Sequence, residues 1–369
     1  MTSFRAMLPD SIDDLDTPVA LVDLDVFERN ARSIASFLDE HGMRWRPHTK
    51  AHKSPRLARL QQAAGATGVT CAKLGEAEAM VAGGLDHILI ANHLGAAIKW
   101  ERLAALQRQA EVIACVDHLR HIELAEAAAT AEGTVIPLII EADVGMGRVG
   151  VRSVDEARTI AAAARDAQGV RLVGIMGYEG HLLTTWPEAV KRARCREDLA
   201  VLARLASELR DAGHEIDIVS SGGTGSFRQT AGLPELTESQ AGGGCLMDRF
   251  YAEECHVDLD LSLSLVATVV SVRDPDHAIM DAGFKSLGSN QGMPLPRVEG
   301  RPGVEVTSLS AEHGTLRTQP DVPALRIGDR VRLVAGYSDA MLIMHDHVIG
   351  HRDSRPVELI ELAGRGRLT

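Results

Sequence analysis

The chain has 369 residues, 45% of them hydrophobic and 24% charged, which is enough for one large domain plus a smaller one and too apolar for a disordered chain. Its 51 Asp and Glu outweigh 39 Lys and Arg, and the net charge of −12 works against general affinity for nucleic-acid phosphates or anionic lipid, so a small molecule is the expected partner. Five widely spaced cysteines with no CxxC pair argue against a disulfide framework or a structural zinc cluster, no run is apolar enough to span a membrane, and the N-terminus turns acidic before any leader-like segment develops; the expected setting is cytoplasmic.

In chain order, the first strand-like segment is 18–25 (PVALVDLD), a candidate to pair with the C-terminal part of the chain rather than to join the barrel. Then come β-rich apolar runs at 44–49 (RWRPHT), 69–72, 87–91 (HILIA), 112–116 (VIACV), 135–142 (VIPLIIEA), 173–178 (VGIMGY) and 216–220 (IDIVS), with a weaker one at 240–248. Helical spacing of apolar residues marks 26–41, 54–64, 75–83, 98–109, 154–167 and 188–212. Eight such runs alternating with helices predict an α/β fold, a (β/α)8 TIM barrel over 14–255, with a doubly wound open sheet as the competing architecture. From 256 to 369 short strand-like pieces (261–272, 278–281, 304–309, 330–334) lie between Gly- and Pro-rich turns, which predicts a mainly antiparallel β domain.

Barrel chemistry sits at the C-terminal ends of strands, so the residues just past each run carry the functional expectation. The first run ends in RPHTKAHK at 46–53. A lysine there, Lys50, either snorkels to water or serves as an amine that can form a Schiff base; a basic loop for an acidic partner is the plainer alternative. The seventh run ends in Ser220-Ser221-Gly222-Gly223-Thr224-Gly225-Ser226, where backbone N–H groups and hydroxyls can donate to an anion. A second glycine stretch accompanies the eighth run, Gln240-Ala241-Gly242-Gly243-Gly244. An amine for an aldehyde and a cradle for a phosphate are together what pyridoxal 5′-phosphate requires. Arg148 in GMGRVG faces either the pyridine nitrogen of such a cofactor or a substrate carboxylate, and Tyr178, one of three tyrosines, is placed at a strand end to line the site.

With those residues in view the sequence resembles the D-threonine aldolase and D-serine dehydratase-like family, whose members pair an alanine-racemase-like barrel with a second domain. The resemblance rests on Asp16-Thr17-Pro18, LVDLD at 21–25, RPHTKAHK at 46–53, CAKLGEAEA at 71–79, EADVGMGRVG at 141–150, GGTGS at 222–226, MD at 247–248, DAGFKS at 281–286, EHG at 312–314 and HD at 345–346. It implies that Lys50 carries the cofactor aldehyde as a Schiff base. It implies that Ser221, Gly222, Gly223 and Thr224, with Gln240, Gly242 and Gly243, hold the phosphate side, that Arg148 and Tyr178 contact the cofactor, and that the molecule is a homodimer. The expected reaction is retro-aldol cleavage of a D-3-hydroxy amino acid. Dehydration of D-serine or 3-hydroxyaspartate, two-base racemisation by Lys50 and Tyr337, and cofactor binding without turnover are the alternatives.

Two departures stand out. The family places a histidine two residues before an Asp or Cys to bind a divalent ion (Mn²⁺, Mg²⁺ or Zn²⁺). Here Tyr337 occupies the histidine position, so Asp339 is the remaining candidate ligand. A phenol is a poor ligand at neutral pH. Tyr337, with Asp339 or the imidazole of His52, is then the expected substitute for taking the β-hydroxyl proton, and Asp339 in place of cysteine favours the aldolase. The second departure is GGG at 242–244 where the resemblance leads one to expect Gly-Ser-Tyr, which keeps backbone donors and deletes two hydroxyls.

Overall fold

The computed structural model describes residues 8–288 and 292–369; the start of the chain, on which the expectation of no leader bears, lies partly outside them. In order, its strands and main helices are β1 (Val19–Asp23), α1 (Leu24–Glu40), β2 (Arg44–Trp45), α2 (Pro55–Ala63), β3 (Val69–Cys71), α3 (Leu74–Ala82), β4 (His87–His93), α4 (Ala97–Leu106), β5 (Glu111–Val116), α5 (Leu119–Glu132), β6 (Ile136–Glu141), α6 (Val154–Asp166), β7 (Val170–Met176), α7 (Glu188–Asp211), β8 (Ile218–Ser221) and β9 (Glu238–Ser239). The C-terminal strands are β10 (Leu263–Asp274), β11 (His277–Met280), β12 (Arg297–Glu299), β13 (Val304–Leu309), β14 (Gly314–Thr318), β15 (Arg330–Val334), β16 (His347–Arg352) and β17 (Arg355–Glu361).

Packing divides the chain into two units. One takes Arg32–Lys50, Ala58–Gly242 and Gly366–Thr369; the other takes the residues up to Ala31, Ala51–Leu57 and Gly243–Arg365.

The first unit holds eight parallel strands in the order β2-β9-β8-β7-β6-β5-β4-β3. The two ends of that path meet at a single parallel bridge, His48 to Thr70, backed by the Thr70 N–H donating to the Pro47 carbonyl at 2.9 Å. This is the TIM-type arrangement, with the sheet curled around inward-facing Leu89, Ile113, Cys115, Ile139, Val173, Met176 and Ile218. Each large aliphatic side chain so buried contributes about 1.5–3 kcal/mol. β6 is buried at all six positions because helices cover the outer face of a parallel sheet while side chains fill the inner one, which explains why it reads as an unbroken apolar run. The weak eighth run is corrected: the strand is Glu238–Ser239, and 240–248 forms turns. Gly242 to Gly244 have no side chains with which to hold a strand face, and a Cβ on Gly242 would lie 2.1 Å from the His48 carbonyl oxygen.

The second unit is a nine-stranded, mainly antiparallel sheet. β1 pairs antiparallel with β10 (Val19 to Val266) and parallel with β16 (Leu21 to Ile349), so 18–25 contributes its strand here and not to the barrel. Leu21, Val266 and Ile349 are buried together with Ile12. The Asp23 carboxylate then caps α1, accepting from the Asp25 and Val26 N–H groups at 3.0 Å each.

Candidate active site

The parallel ladder sets the site. β2, β9, β8, β7 and β6 are consecutive neighbours, so the residues past their C-terminal ends line one arc of the barrel rim: Lys50, Gln240 with Gly242, Ser221 to Thr224, Tyr178 and Arg148. Sequence places these residues as much as 192 positions apart, as in the buried ion pair of Arg46 with Glu238 at 2.9 Å beneath the arc.

Lys50 sits in the 3-10 turn Thr49–Ala51, half-buried, its N–H donating to His48 Nδ1 at 3.3 Å. The turn is pinned from below. Thr49 Oγ1 donates to the buried Glu76 carboxylate at 2.6 Å, whose other oxygen accepts from the Ala72 N–H. Beside it, the ladder of β2 with β9 continues past both strands through Arg46 N–H to the Ser239 carbonyl (2.9 Å) and His48 N–H to the Gln240 carbonyl (3.0 Å). Trp45 Nε1 adds a bond to the Ala241 carbonyl at 2.6 Å. The second glycine loop is thereby held against the residues just before Lys50.

The first glycine loop is organised by a residue that sequence reasoning does not single out. Glu179, fully buried, accepts from Ser221 Oγ at 2.7 Å, from the Gly222 N–H at 3.3 Å and, through its other oxygen, from Ser226 Oγ. Ser226 Oγ in turn accepts from the Gly223 N–H at 3.1 Å. Ser221 and Gly222, expected to donate to a phosphate, are therefore engaged with Glu179 in this structure, and Gln240 Nε2 is engaged with Ser220 Oγ at 3.0 Å. The only sequence signal for Glu179 is its place directly after Tyr178 at a strand end. Buried Lys191 on α7 supports the same loop, donating to the Gly225 carbonyl at 2.7 Å.

The loop still fits an anion. Gly222 has φ +86°, and a Cβ there would lie 2.8 Å from Thr230 Oγ1 and 3.1 Å from Ser239 Oγ. Ser239 Oγ is buried with no hydrogen-bond partner, a donor left over at the cradle. Gly223 lies beside the edge of the Tyr178 ring, with a would-be Cβ 3.0 Å from Tyr178 Cε2. Tyr178 is thus brought beside the cradle. Arg148 stands on the loop after β6, more exposed, with Nη2 3.8 Å from Glu141 Oε1. That loop is fixed by Asp143 Oδ1, which accepts from the Gly145 and Gly147 N–H groups at 3.1 and 2.9 Å; these bonds hold its carboxyl below the usual range. Burial pushes the Glu141 carboxyl up, against the opposing pull of His93, the Cys115 thiol and Arg148.

The remaining expected residues belong to the second unit. Gly243 opens its Gly243–Cys245 3-10 turn. His52 is fully buried, its Nδ1 accepting from the Ser54 N–H at 3.0 Å and its ring edge-on to Phe27. Tyr337 precedes the short helix Ser338–Leu342, which carries Asp339; its ring centroid lies 5.7 Å from Phe250 in a T-shaped contact and 6.1 Å from Tyr251. A phenol held among aromatic rings and one carboxylate do not fit the divalent ion implied for this stretch. Asp248 is a further working residue that its motif, MD at 247–248, marks without revealing its task. Its two oxygens accept from the Tyr251 and Ser338 N–H groups at 2.8 Å each, tying the stretch before Tyr251 to the start of the Tyr337 helix. Burial pushes its carboxyl up to about 6, those bonds notwithstanding.

A parallel barrel with a rim lysine and two glycine loops, and a separate antiparallel domain, define the alanine-racemase-type class. The alanine racemase N-terminal domain family matches residues 22–249, and a putative serine dehydratase domain family matches 262–351. A D-threonine aldolase from Arthrobacter sp is 36% identical over 362 residues, 97% of this chain and 94% of that protein. A 3-hydroxy-D-aspartate aldolase from Paracoccus denitrificans (strain Pd 1222) is 33% identical over 364 residues, 96% of this chain and 93% of the relative. Among solved structures, a D-threonine aldolase from Filomicrobium marinum matches with a TM-score of 0.93 and 33% identity, covering 99% of this chain and 100% of the other. The chain belongs to the D-threonine aldolase and D-serine dehydratase-like family, and that membership implies pyridoxal 5′-phosphate as cofactor. No helix among the described residues is long and apolar enough to cross a membrane.

Proposed function

We propose that the protein is a pyridoxal 5′-phosphate-dependent lyase that cleaves D-3-hydroxy amino acids between Cα and Cβ, releasing an aldehyde and a shorter amino acid. The observation that carries this reading is the arc of adjacent strand ends, which sets a lysine, two glycine loops, a tyrosine and an arginine side by side on one barrel rim. When bound, the cofactor supplies an electron sink for the pair released as the Cα–Cβ bond breaks.

The chain's own residues do the rest. Lys50 holds the cofactor aldehyde from a turn that Glu76 keeps in place. Thr224 and the orphaned Ser239 hydroxyl, with the backbone of Gly242, receive the phosphate, while Glu179 fixes the loop through Ser221 and Gly222. Tyr178, its ring edge against Gly223, bounds the cofactor on that side. Arg148 offers its guanidinium to the ring nitrogen or to a substrate carboxylate. Tyr337 takes the β-hydroxyl proton as the Cβ–O bond becomes a carbonyl, its own phenolic proton passing to Asp339 or His52. No step is assigned to a metal at Tyr337 and Asp339.

A second reading, dehydration to a 2-oxo acid and ammonia, has the support of a relative named D-threo-3-hydroxyaspartate dehydratase from Delftia sp. (strain HT23), 30% identical over 358 residues. Asp339 in place of cysteine favours cleavage. Incubation with D-threonine, D-serine and D-3-hydroxyaspartate decides between them: aldehyde plus glycine supports the lyase acting at Cα–Cβ, and oxo acid plus ammonia supports the dehydratase. Neither product from the wild type, or full activity in Lys50→Ala, ends the reading.

A further inference from the structure

A second cluster on the barrel rim lies at the ends of β4, β5 and β6 and takes no part in the proposed lyase chemistry. His93 closes β4, Asp117 comes directly after β5, and His121 sits in the first turn of α5, which His118 caps through its own Nδ1. One ligand atom from each of His93, Asp117 and His121 lies within 4.8 Å of the others. His93 Nε2 is 3.5 Å from Asp117 Oδ2, and His121 Nδ1 is 3.4 Å from Asp117 Oδ1.

Those separations are long for hydrogen bonds but are the edge lengths of a coordination polyhedron whose ligands stand about 2.0–2.1 Å from a central ion. His93 Nε2 is buried and has no hydrogen-bond partner. His121 Nδ1 accepts from the Asp117 N–H at a long 3.3 Å, so this nitrogen carries a lone pair and no proton, and a bound ion would compete with that N–H for it. The two imidazole rings are 5.3 Å apart and tilted by 31°, close enough that two cationic rings would repel. Acceptors thus face acceptors around one small space.

The surroundings supply the outer shell that metal-bound histidines use. Glu141 Oε2 lies 3.8 Å from the other nitrogen of His93, and the Gly150 N–H donates to Asp117 Oδ2 at 2.9 Å. Access exists as well: an open cavity of about 720 Å³ is lined by Asp117, His118, Arg148 and Gly150. Two imidazoles and a carboxylate with room for water are the donor set of Zn²⁺ and neighbouring divalent transition ions, not of Mg²⁺ or Ca²⁺, which prefer oxygen.

We propose that His93, Asp117 and His121 form a binding site for a divalent transition-metal ion of the Zn²⁺ type, completed by water from the adjoining cavity and oriented by Glu141. The site is separate from the Tyr337–Asp339 stretch and does not depend on the lyase reading.

The test uses the full-length protein with its cofactor, loaded with Zn²⁺, passed through gel filtration in metal-free buffer and analysed for zinc per chain, with folding checked by circular dichroism. One ion per chain is expected in the wild type and in Asp339→Asn, with affinity at least tenfold weaker in His121→Gln and Asp117→Asn. Zinc X-ray absorption on the loaded wild type, which needs no variant to fold, should show imidazole scattering from two histidines. No retained zinc, retention unchanged in both cluster variants, loss in Asp339→Asn, or absorption without imidazole ligation would each overturn the proposal.

Discussion

Ser221 Oγ donates a hydrogen bond to Glu179 Oε2 at 2.7 Å. The same carboxylate takes the Gly222 N–H and Ser226 Oγ, so one buried acid determines the shape of the whole SGGTGS turn. Hydrogen bonds to a buried charge are worth about 1.5–3 kcal/mol each. Glu179→Gln keeps the volume but turns one acceptor oxygen into a donor, and it is expected to weaken cofactor binding by about tenfold. Titration of cofactor-free protein, tracked by the visible absorbance of the bound form, checks this; unchanged affinity would remove Glu179 from the cradle.

Gly242 and Gly223 make a graded pair. A Cβ at Gly242 meets backbone of His48 at 2.1 and 2.6 Å, which cannot move without shifting the strand end that carries Lys50, whereas a Cβ at Gly223 meets the edge of the Tyr178 ring at 3.0 Å. Gly242→Ala should cost about 3 kcal/mol in urea unfolding and Gly223→Ala about 1 kcal/mol. The reverse order would contradict the packing described.

Tyr337→Phe removes only the hydroxyl and leaves the contacts with Phe250 and Tyr251. If that phenol handles the β-hydroxyl proton, kcat should fall by about 10²-fold with KM little changed. Tyr337→His restores the donor the family uses, and its turnover should become sensitive to chelator and recover with Mn²⁺, which steady-state assays would show.

Asp248 predicts a pH dependence of stability. Its carboxyl rises from an ordinary 3.8 to about 6 on folding, so the folded chain holds that proton more tightly than the unfolded one. The stability this contributes is full below 3.8 and is lost as pH climbs through about 6. Across that window the difference in unfolding free energy between wild type and Asp248→Asn should change by about 2–3 kcal/mol, the wild type losing ground as pH rises. Denaturant unfolding at intervals from pH 4 to 7 measures it, and a pH-independent difference would show that burial does not perturb this group.

Alternating apolar runs and helical periods are sufficient to read the barrel, because a parallel strand covered on both faces is apolar through its middle, as β4, β5 and β6 are. Lys50 and the two glycine loops are legible for a related reason: a lysine, or a run of glycines, directly after such a strand has few structural uses. The antiparallel domain and the pairing of 18–25 with it are read from turn spacing and position.

What one dimension cannot carry is the company each residue keeps. Glu238–Ser239 is too short to show a period, so sequence alone places the eighth strand among glycines that instead pack against His48. Glu179 and Asp248 look like ordinary acids beside more conspicuous neighbours, and no motif joins His93 to His121. Composition and periodicity determine which segments are buried and what they can offer; closure of the sheet brings strand ends from distant parts of the chain within a few ångströms, and only that contact decides whether a carboxylate grips a loop, shares a proton or faces an imidazole across a space the size of an ion.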